Sequence, residues 1–344
     1  MKRLIYVLLL FLLLLSCTKV DNNDKKEECN HEFSYTLIDN ESTIETSCEK
    51  CEYSYKIAPN FNFSYNFGYL DLSNYMVAKN AQKLYLNIYV KLLEFSRAKI
   101  DLNESKINNE KNYEIATINY KNLALSKNQA MAIWHSVILD NPEFYFAEKT
   151  VLTSENNIVL LCNSLYTKHE QREVVDNKIN GLKHVVKSTQ KLDIINEAYE
   201  YVIDNLTYAY ETINGEKVPK TDFDSYELSG ALLYKEGVCE AYSKLFSYLL
   251  KLNGIKAIIY VGNGVLLSRE YVRHRWTLVE VNNLYYGFDL TWDDSNSNRD
   301  NYGLSYENLS ARHQVIPFAS SSLKNGIDYI YKMPTMATEN LIQN

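Results

Sequence analysis

The chain has 344 residues, 46% of them hydrophobic, so it can bury a full core with room for two domains or one domain behind a long N-terminal extension. Five prolines and 11 glycines exclude a fibrous or low-complexity protein, and 29 tyrosines point to many half-buried amphipathic packing positions. A net charge of −7, with 36 basic residues against 43 acidic, argues against nucleic acid as a partner, which needs a basic face.

Lys2 and Arg3 precede an unbroken apolar run from Leu4 to Leu15, the charged and apolar regions of an export signal. The run is well short of the roughly 20 residues that span a bilayer, so its removal is expected. It ends Leu14-Leu15-Ser16-Cys17, which resembles the lipobox of bacterial lipoproteins, where the cysteine is diacylated and becomes the new N-terminus. The resemblance implies a signal peptide over 1–16 and an exported protein, at a bacterial surface or in a periplasm, anchored to the membrane through lipid on Cys17. Loss of Lys2 and Arg3 would take the net charge from −7 to −9, so attachment would come from the lipid alone. Residues 17–28, rich in Asp, Asn, Lys and Glu, read as a solvated tether.

Residues 29–60 read as a small β module. Cys29-x-His31 and Cys48-x-x-Cys51 offer four ligands in two close pairs, the arrangement of a closed structural zinc site. A disulfide is the alternative in an oxidising compartment, but three cysteines would leave one unpaired, which favours zinc. Four protein ligands leave no open position for chemistry at such a metal.

An α/β region is expected over 61–189. Tyr75, Ala78, Ala81, Leu84 and Ile88 mark a helix at about 73 to 98. Ala130, Ile133, Trp134, Val137 and Ile138 mark another at about 126 to 139, stopped by Asp140-Asn141-Pro142 before a strand-like Phe144-Tyr145-Phe146. His135 lies off that stripe and reads as solvated. Cys162, in the apolar run from Ile158, reads as a buried strand residue.

The last region, 190–344, opens with an amphipathic helix from Leu192 to Leu206 and a polar connection from Tyr208 to Tyr226. Gly237-Val238-Cys239 then starts a helix with Tyr242, Leu245, Phe246, Leu249 and Leu250 on one face, ended by Asn253-Gly254. Strands are expected at Lys256 to Val261, about His274 to Val281, and Leu284 to about Thr291. A helix packed on antiparallel strands makes the fold class α+β.

Cys239 in the first turn of its helix would meet unpaired backbone N–H groups and the positive end of the macrodipole, which favour a thiolate. Val281-Asn282-Asn283-Leu284 reads as a two-residue hairpin turn. With Val281 opposite Leu284, Trp276 falls opposite Asp289 and His274 opposite Thr291. His274 and Asp289 become diagonal neighbours on one face, about 7 to 8 Å apart at the backbone. A carboxylate there fixes the imidazole tautomer and stabilises the imidazolium, and Trp276 would shield the pair from water.

Gly237-Val238-Cys239-Glu240-Ala241-Tyr242, His274-Arg275-Trp276-Thr277 and Asp289-Leu290-Thr291-Trp292-Asp293-Asp294 together resemble the transglutaminase-like superfamily, which shares its layout with papain-type peptidases. The resemblance covers about residues 190 to 310, and Asn141-Pro142-Glu143-Phe144-Tyr145 is similar to the N-terminal region of bacterial members. It implies a papain/transglutaminase-like core with the catalytic helix on an antiparallel sheet. Cys239 would be the nucleophile, His274 the base and then the acid, Asp289 the orienter, with Trp276 and Trp292 supporting the substrate site. The implied chemistry is thioester-mediated acyl transfer on an extracellular protein or peptide, as a protease or a cross-linking or deamidating enzyme, with no catalytic cofactor. Ala241, Arg275 and Thr277 depart from the family pattern. Arg275 is expected on the opposite hairpin face and so to be tolerated. A catalytically idle module binding cell-wall glycan or a surface protein is the competing reading, disfavoured by a complete triad. Asp294 to Asp300 imitates a calcium loop but lacks its sixth-position glycine and twelfth-position acid, and reads as solvated. His313 receives no role.

Overall fold

The computed structural model describes residues 29, 33–38, 43–58, 78–107, 110–266, 268–314 and 334–341. The expected export signal, Cys17, the tether and His31 lie outside the described residues.

The first described element is an antiparallel sheet of β1 (Phe33–Ile38), β2 (Thr43–Cys48) and β3 (Ser54–Ile57), in that order. Ile44, Thr46 and Cys48 of β2 are buried at the two-residue strand period. β1 packs on α1 (Ala78–Arg97), whose Ala81, Leu84, Tyr85, Ile88, Tyr89 and Leu92 form a buried stripe.

A short hairpin of β4 (Ser105–Ile107) and β5 (Glu110–Asn112) leads into β6 (Glu114–Asn119) and then α2 (Lys127–Asp140). Ser126 and Gln129 cap α2 reciprocally, at 3.2 and 2.9 Å. The strand expected at Phe144-Tyr145-Phe146 is not formed. Pro142, whose fixed φ suits the first position of a helical turn, starts a single 3-10 turn over Pro142–Phe144, and the three aromatics enter the core from there. β7 (Ala147–Leu152) and β8 (Asn157–Cys162) complete a sheet in the order β6-β8-β7. Cys162 is buried in β8, which pushes its thiol up to about 12.

After α3 (His169–Gly181) and α4 (Lys191–Asn205), the supposed polar connection holds structure of its own. β9 (Thr207–Tyr208) is followed by a hairpin of β10 (Tyr210–Ile213) and β11 (Glu216–Pro219), turning at Asn214-Gly215 with φ of 54° and 87°. Then come α5 (Leu228–Leu233) and β12 (Glu236–Gly237), which pairs with β9 in parallel.

α6 (Cys239–Leu252) buries Tyr242, Leu245, Phe246, Leu249 and Leu250 and ends at Asn253 and Gly254, the latter at φ +71°. It packs across β13 (Ala257–Val265) and β14 (Tyr271–Val281). β15 (Leu284–Phe288), α7 (Leu290–Asn296), α8 (Tyr306–Ser310) and β16 (His313–Gln314) follow, giving a four-stranded antiparallel sheet in the order β15-β14-β13-β16. The fold is α+β. Asn282 and Asn283 make the tight turn at φ 54° and 65°, and Val281 faces Leu284. The ladder ends at Thr277 opposite Phe288, so the pairings of Trp276 with Asp289 and of His274 with Thr291 are not formed. Asp289 instead caps α7, accepting the Trp292 N–H at 3.2 Å through Oδ1. Among the described residues no helix is long and apolar enough to cross a membrane.

Candidate active site

The start of α6 is set by what precedes it. β12 is held by β9, and the extended Val238 follows with no side-chain cap on the helix. Val238 O accepts from Ala241 N at 2.9 Å and Tyr242 N at 3.3 Å, and Cys239 occupies the first helical position, partly exposed. A Cβ at Gly237 would lie 2.5 Å from that of Ala241. The Ala241 departure is therefore accommodated by the missing side chain two residues before the sulfur.

His274 Nε2 lies 2.7 Å from Asp289 Oδ2, with both side chains buried. Burial works against the His274 imidazolium, but the charge and hydrogen bond of Asp289, aided by Cys239, outweigh it and raise the pKa to about 10. For Asp289, burial favours the neutral acid, yet His274 and His313 hold the carboxyl well below the usual carboxylate range. With Nε2 engaged by Asp289, Nδ1 is the ring nitrogen left for another partner. The Cys239 side chain acts on the ring through both a hydrogen bond and its charge.

Two indoles enclose the imidazole. Trp292, half-buried, stacks on His274 at 4.9 Å and 15° between planes, and the Arg312 guanidinium covers the Trp292 ring at 4.3 Å. Trp276 is fully buried, stacked on Tyr260 at 5.5 Å and edge-on to His313 at 4.8 Å. Their space comes from two glycines of β13. A Cβ at Gly262 would lie 2.4 Å from Trp276, and one at Gly264 2.6 Å from Trp292.

His313 is a site residue that sequence reasoning missed. Its Nε2 lies 2.8 Å from the same Asp289 Oδ2, and its Nδ1 lies 3.1 Å from Leu309 O. It reaches the site because β16 pairs with β13, setting His313 opposite Gly264. Nothing in its own sequence neighbourhood announces this. The Gly262-x-Gly264 pair inside a strand was the available signal of a close approach.

Arg275, expected to point away harmlessly, ion-pairs through Nε with Glu240 at 3.2 Å, the residue next to Cys239. Glu240 also meets the fully buried Lys244 at 3.0 Å, and Lys244 meets Glu227 at 2.6 Å. Burial pushes Glu227 up to about 8, against the pull of Lys244. Glu240 keeps a lowered pKa despite burial because Lys244 and Arg275 both face it. His135, read as solvated, is half-buried against this cluster, and burial lowers its pKa to about 4.

The three described cysteines of the N-terminal module converge. Cys29 and Cys48 Sγ are 3.8 Å apart, and all three sulfurs, with that of Cys51, lie within 4.8 Å of one another. Tetrahedral zinc with bonds of about 2.3 Å sets its sulfurs roughly 3.8 Å apart, so the separation fits the metal. Cys51, then burial and Cys48, push the Cys29 thiol up to about 11, a mutual resistance to ionisation that a divalent cation would reverse. The Lys50 N–H donates to Cys48 Sγ at 3.3 Å. Beside α6, Asp294 of the calcium-like stretch accepts from Tyr242 Oη at 2.5 Å.

The His274 shift sets a pH dependence. Its folded-state pKa of about 10 lies above the ordinary 6.5, so its stabilisation is fully present below pH 6.5 and is lost as pH rises through 10. The difference in thermal midpoint between wild type and His274→Gln should be largest near pH 6 and narrow steadily toward pH 10.5. Calorimetry across that range checks it, and a gap that widens with pH would contradict the assignment.

Residues 177–303 match the family described as Transglutaminase-like domain, a span that contains Cys239, His274 and Asp289 and stops before His313. No curated protein matches the chain. Among solved structures it is similar to a crystal structure of a TGase, with a TM-score of 0.29 and 15% identity, covering 42% of this chain and 44% of that one. It is also similar to the periplasmic domain of TgpA from Pseudomonas aeruginosa, with a TM-score of 0.26 and 14% identity over 43% of this chain and 62% of that one. The chain thus spans less than two thirds of either, and likenesses this slight carry no mechanistic weight. Residues 177–303 of this chain thus match a transglutaminase-like domain, and the fold there is α+β.

Proposed function

We propose that the chain is an exported thiol acyl-transfer enzyme acting on protein or peptide substrates through Cys239, His274 and Asp289. The observation that carries this reading is a buried His274–Asp289 hydrogen bond of 2.7 Å whose imidazole also contacts a partly exposed cysteine at a helix start.

In the proposed reaction His274, kept charged by its raised pKa, already holds the proton that the Cys239 sulfur gives up, and that sulfur attacks the carbonyl carbon of a carboxamide or peptide. The C–S bond forms and the oxygen gains negative charge, beside the N–H groups at the very start of α6 and the positive end of its macrodipole. The C–N bond then breaks as His274 returns its proton to the leaving nitrogen, giving a thioester and a free amine or ammonia. Water or a second amine attacks the thioester, and the thiol is regenerated. Asp289 keeps Nε2 protonated throughout, so that Nδ1 is the nitrogen facing sulfur. Trp276 and Trp292 exclude water from the ring pair.

Cys239→Ala and His274→Ala should abolish turnover, whereas Asp289→Asn should stay folded and slow it by about three to four orders of magnitude. The assay is incorporation of a fluorescent primary amine into casein, run beside peptide-library cleavage. Wild-type inactivity in both, with retained binding to cell-wall glycan, would favour the idle-module reading instead.

Zinc is proposed as a structural ion held by Cys29, Cys48 and Cys51, with His31 as the fourth ligand. It would crosslink the module and take no part in catalysis. Elemental analysis of the purified chain should find about one equivalent, and a chelator should melt the module while leaving the triad working. A disulfide between two of these cysteines in metal-free protein would refute the assignment.

Localisation is proposed to follow from lipid on Cys17 after removal of residues 1–16. Intact mass should show a diacylated mature chain beginning at Cys17. A Cys17→Ala variant that partitions into membranes as fully as wild type would argue against it.

A further inference from the structure

Asp289 Oδ2 serves two rings, with His274 Nε2 at 2.7 Å and His313 Nε2 at 2.8 Å. The other nitrogen of His313, Nδ1, faces Leu309 O at 3.1 Å. A carbonyl and a carboxylate only accept, so each contact is a hydrogen bond only when its own nitrogen carries a proton. A ring with a single proton would aim a lone pair at one of these acceptors, in a position 0% exposed where no water can intervene. Protonating Asp289 instead is opposed by the donors around it, which lower its pKa.

We propose that His313 is a fixed imidazolium that positions Asp289 and offsets its charge, so that His274 holds its proton firmly enough to take it and loosely enough to give it back. This rests on the reading of Cys239 and His274 as the reacting pair. A carboxylate facing a single buried imidazole would trap the proton there, and an acid that binds its proton too tightly is a poor donor to a leaving nitrogen. A second cation on the same oxygen weakens that trap without loosening the geometry.

Of the other charged and titratable groups around this cluster, Asp293 and Tyr208 act on Asp289 through space, and each of the rest has a partner of its own. From α7, Asp293 accepts from Tyr199 Oη at 2.8 Å and from Asn301. From β14, Arg275 pairs with Glu240 of α6. Cys239 of α6 faces His274 and lies within electrostatic reach of Tyr208 of β9. Arg312, next to His313 in the chain, lies over Trp292. Asp289 is thus the anion that His313 answers.

The test is nitrogen-15 NMR of histidine-labelled full-length chain, wild type and His313→Gln, which keeps an N–H donor but removes the charge. Both ring nitrogens of wild-type His313 should show protonated shifts from pH 6 to 8. In His313→Gln the midpoint for deprotonation of His274 should rise by about two pH units, the size expected for a unit charge removed from a ring 5.9 Å away at an effective dielectric near 20. The alkaline limb of turnover should move with it, a shift that a merely structural role would not produce. One unprotonated His313 nitrogen at pH 7 would overturn the proposal without any variant. So would an unmoved His274 midpoint in a His313→Gln protein that melts like wild type, with His313→Asn as the replacement if glutamine does not fold. Absence of acyl transfer alongside two protonated nitrogens would count against the enzymatic reading while supporting this one.

Discussion

A single carboxylate oxygen, Asp289 Oδ2, faces two histidine nitrogens in a place closed to water, and much of the surrounding architecture keeps that junction in register. Its other oxygen caps α7 through Trp292 N, and its backbone N–H donates to Asn301 O at 3.0 Å. The carboxylate therefore has no freedom to rotate away. Indoles close the site on two sides, and they fit because Gly262 and Gly264 offer no side chains. In so dry a setting each polar contact is stronger, and each unmade one is costlier.

The helix that starts at Cys239 is anchored by a second set of charges. Arg275, Glu240, Lys244 and Glu227 form a chain beneath its first turns, with Lys244 wholly excluded from solvent between two carboxylates. Such a cluster adds little net stability, because desolvation offsets attraction. Its effect is on specificity of placement: an α6 rotated or slid along its axis would leave a buried charge unpaired. Arg275 sits between the two assemblies in the chain, one residue after His274, and clamps the residue after Cys239. A departure from the family pattern thus ties His274 and Cys239 to each other through their sequence neighbours.

Much of this was legible in the sequence, for identifiable reasons. The 3.6-residue spacing from Tyr242 to Leu250 and the Asn253-Gly254 stop gave α6, since local rules act within a few residues. Asn282-Asn283 gave the hairpin turn and its register. The hairpin at Asn214-Gly215 carries an equally strong turn signal, but its flanking strands are too short and polar to show a two-residue apolar period. His313 was not readable, since 24 residues separate it from Asp289 and only the β13–β16 pairing brings them together. Nor were the buried charges. Glu240 and Lys244, spaced four apart, look like an ordinary solvated helix pair until α5 and β14 cover them.

The place where the hairpin reading fails is also where the site becomes possible. Had β15 run on to Thr291, Asp289 would have spent its backbone in the ladder and met His274 across a diagonal of about 7 to 8 Å. A side chain at that separation can touch one imidazole edge and little else. Ending the strand at Phe288 turns residue 289 into a helix cap with φ of −120° and ψ of 85°, which swings its carboxylate out of the sheet register. One oxygen is then taken by the helix, and the other is left to face two rings that arrive from different strands, β14 and β16. A strand residue orients a histidine, whereas a capping residue can bring two of them to one charge.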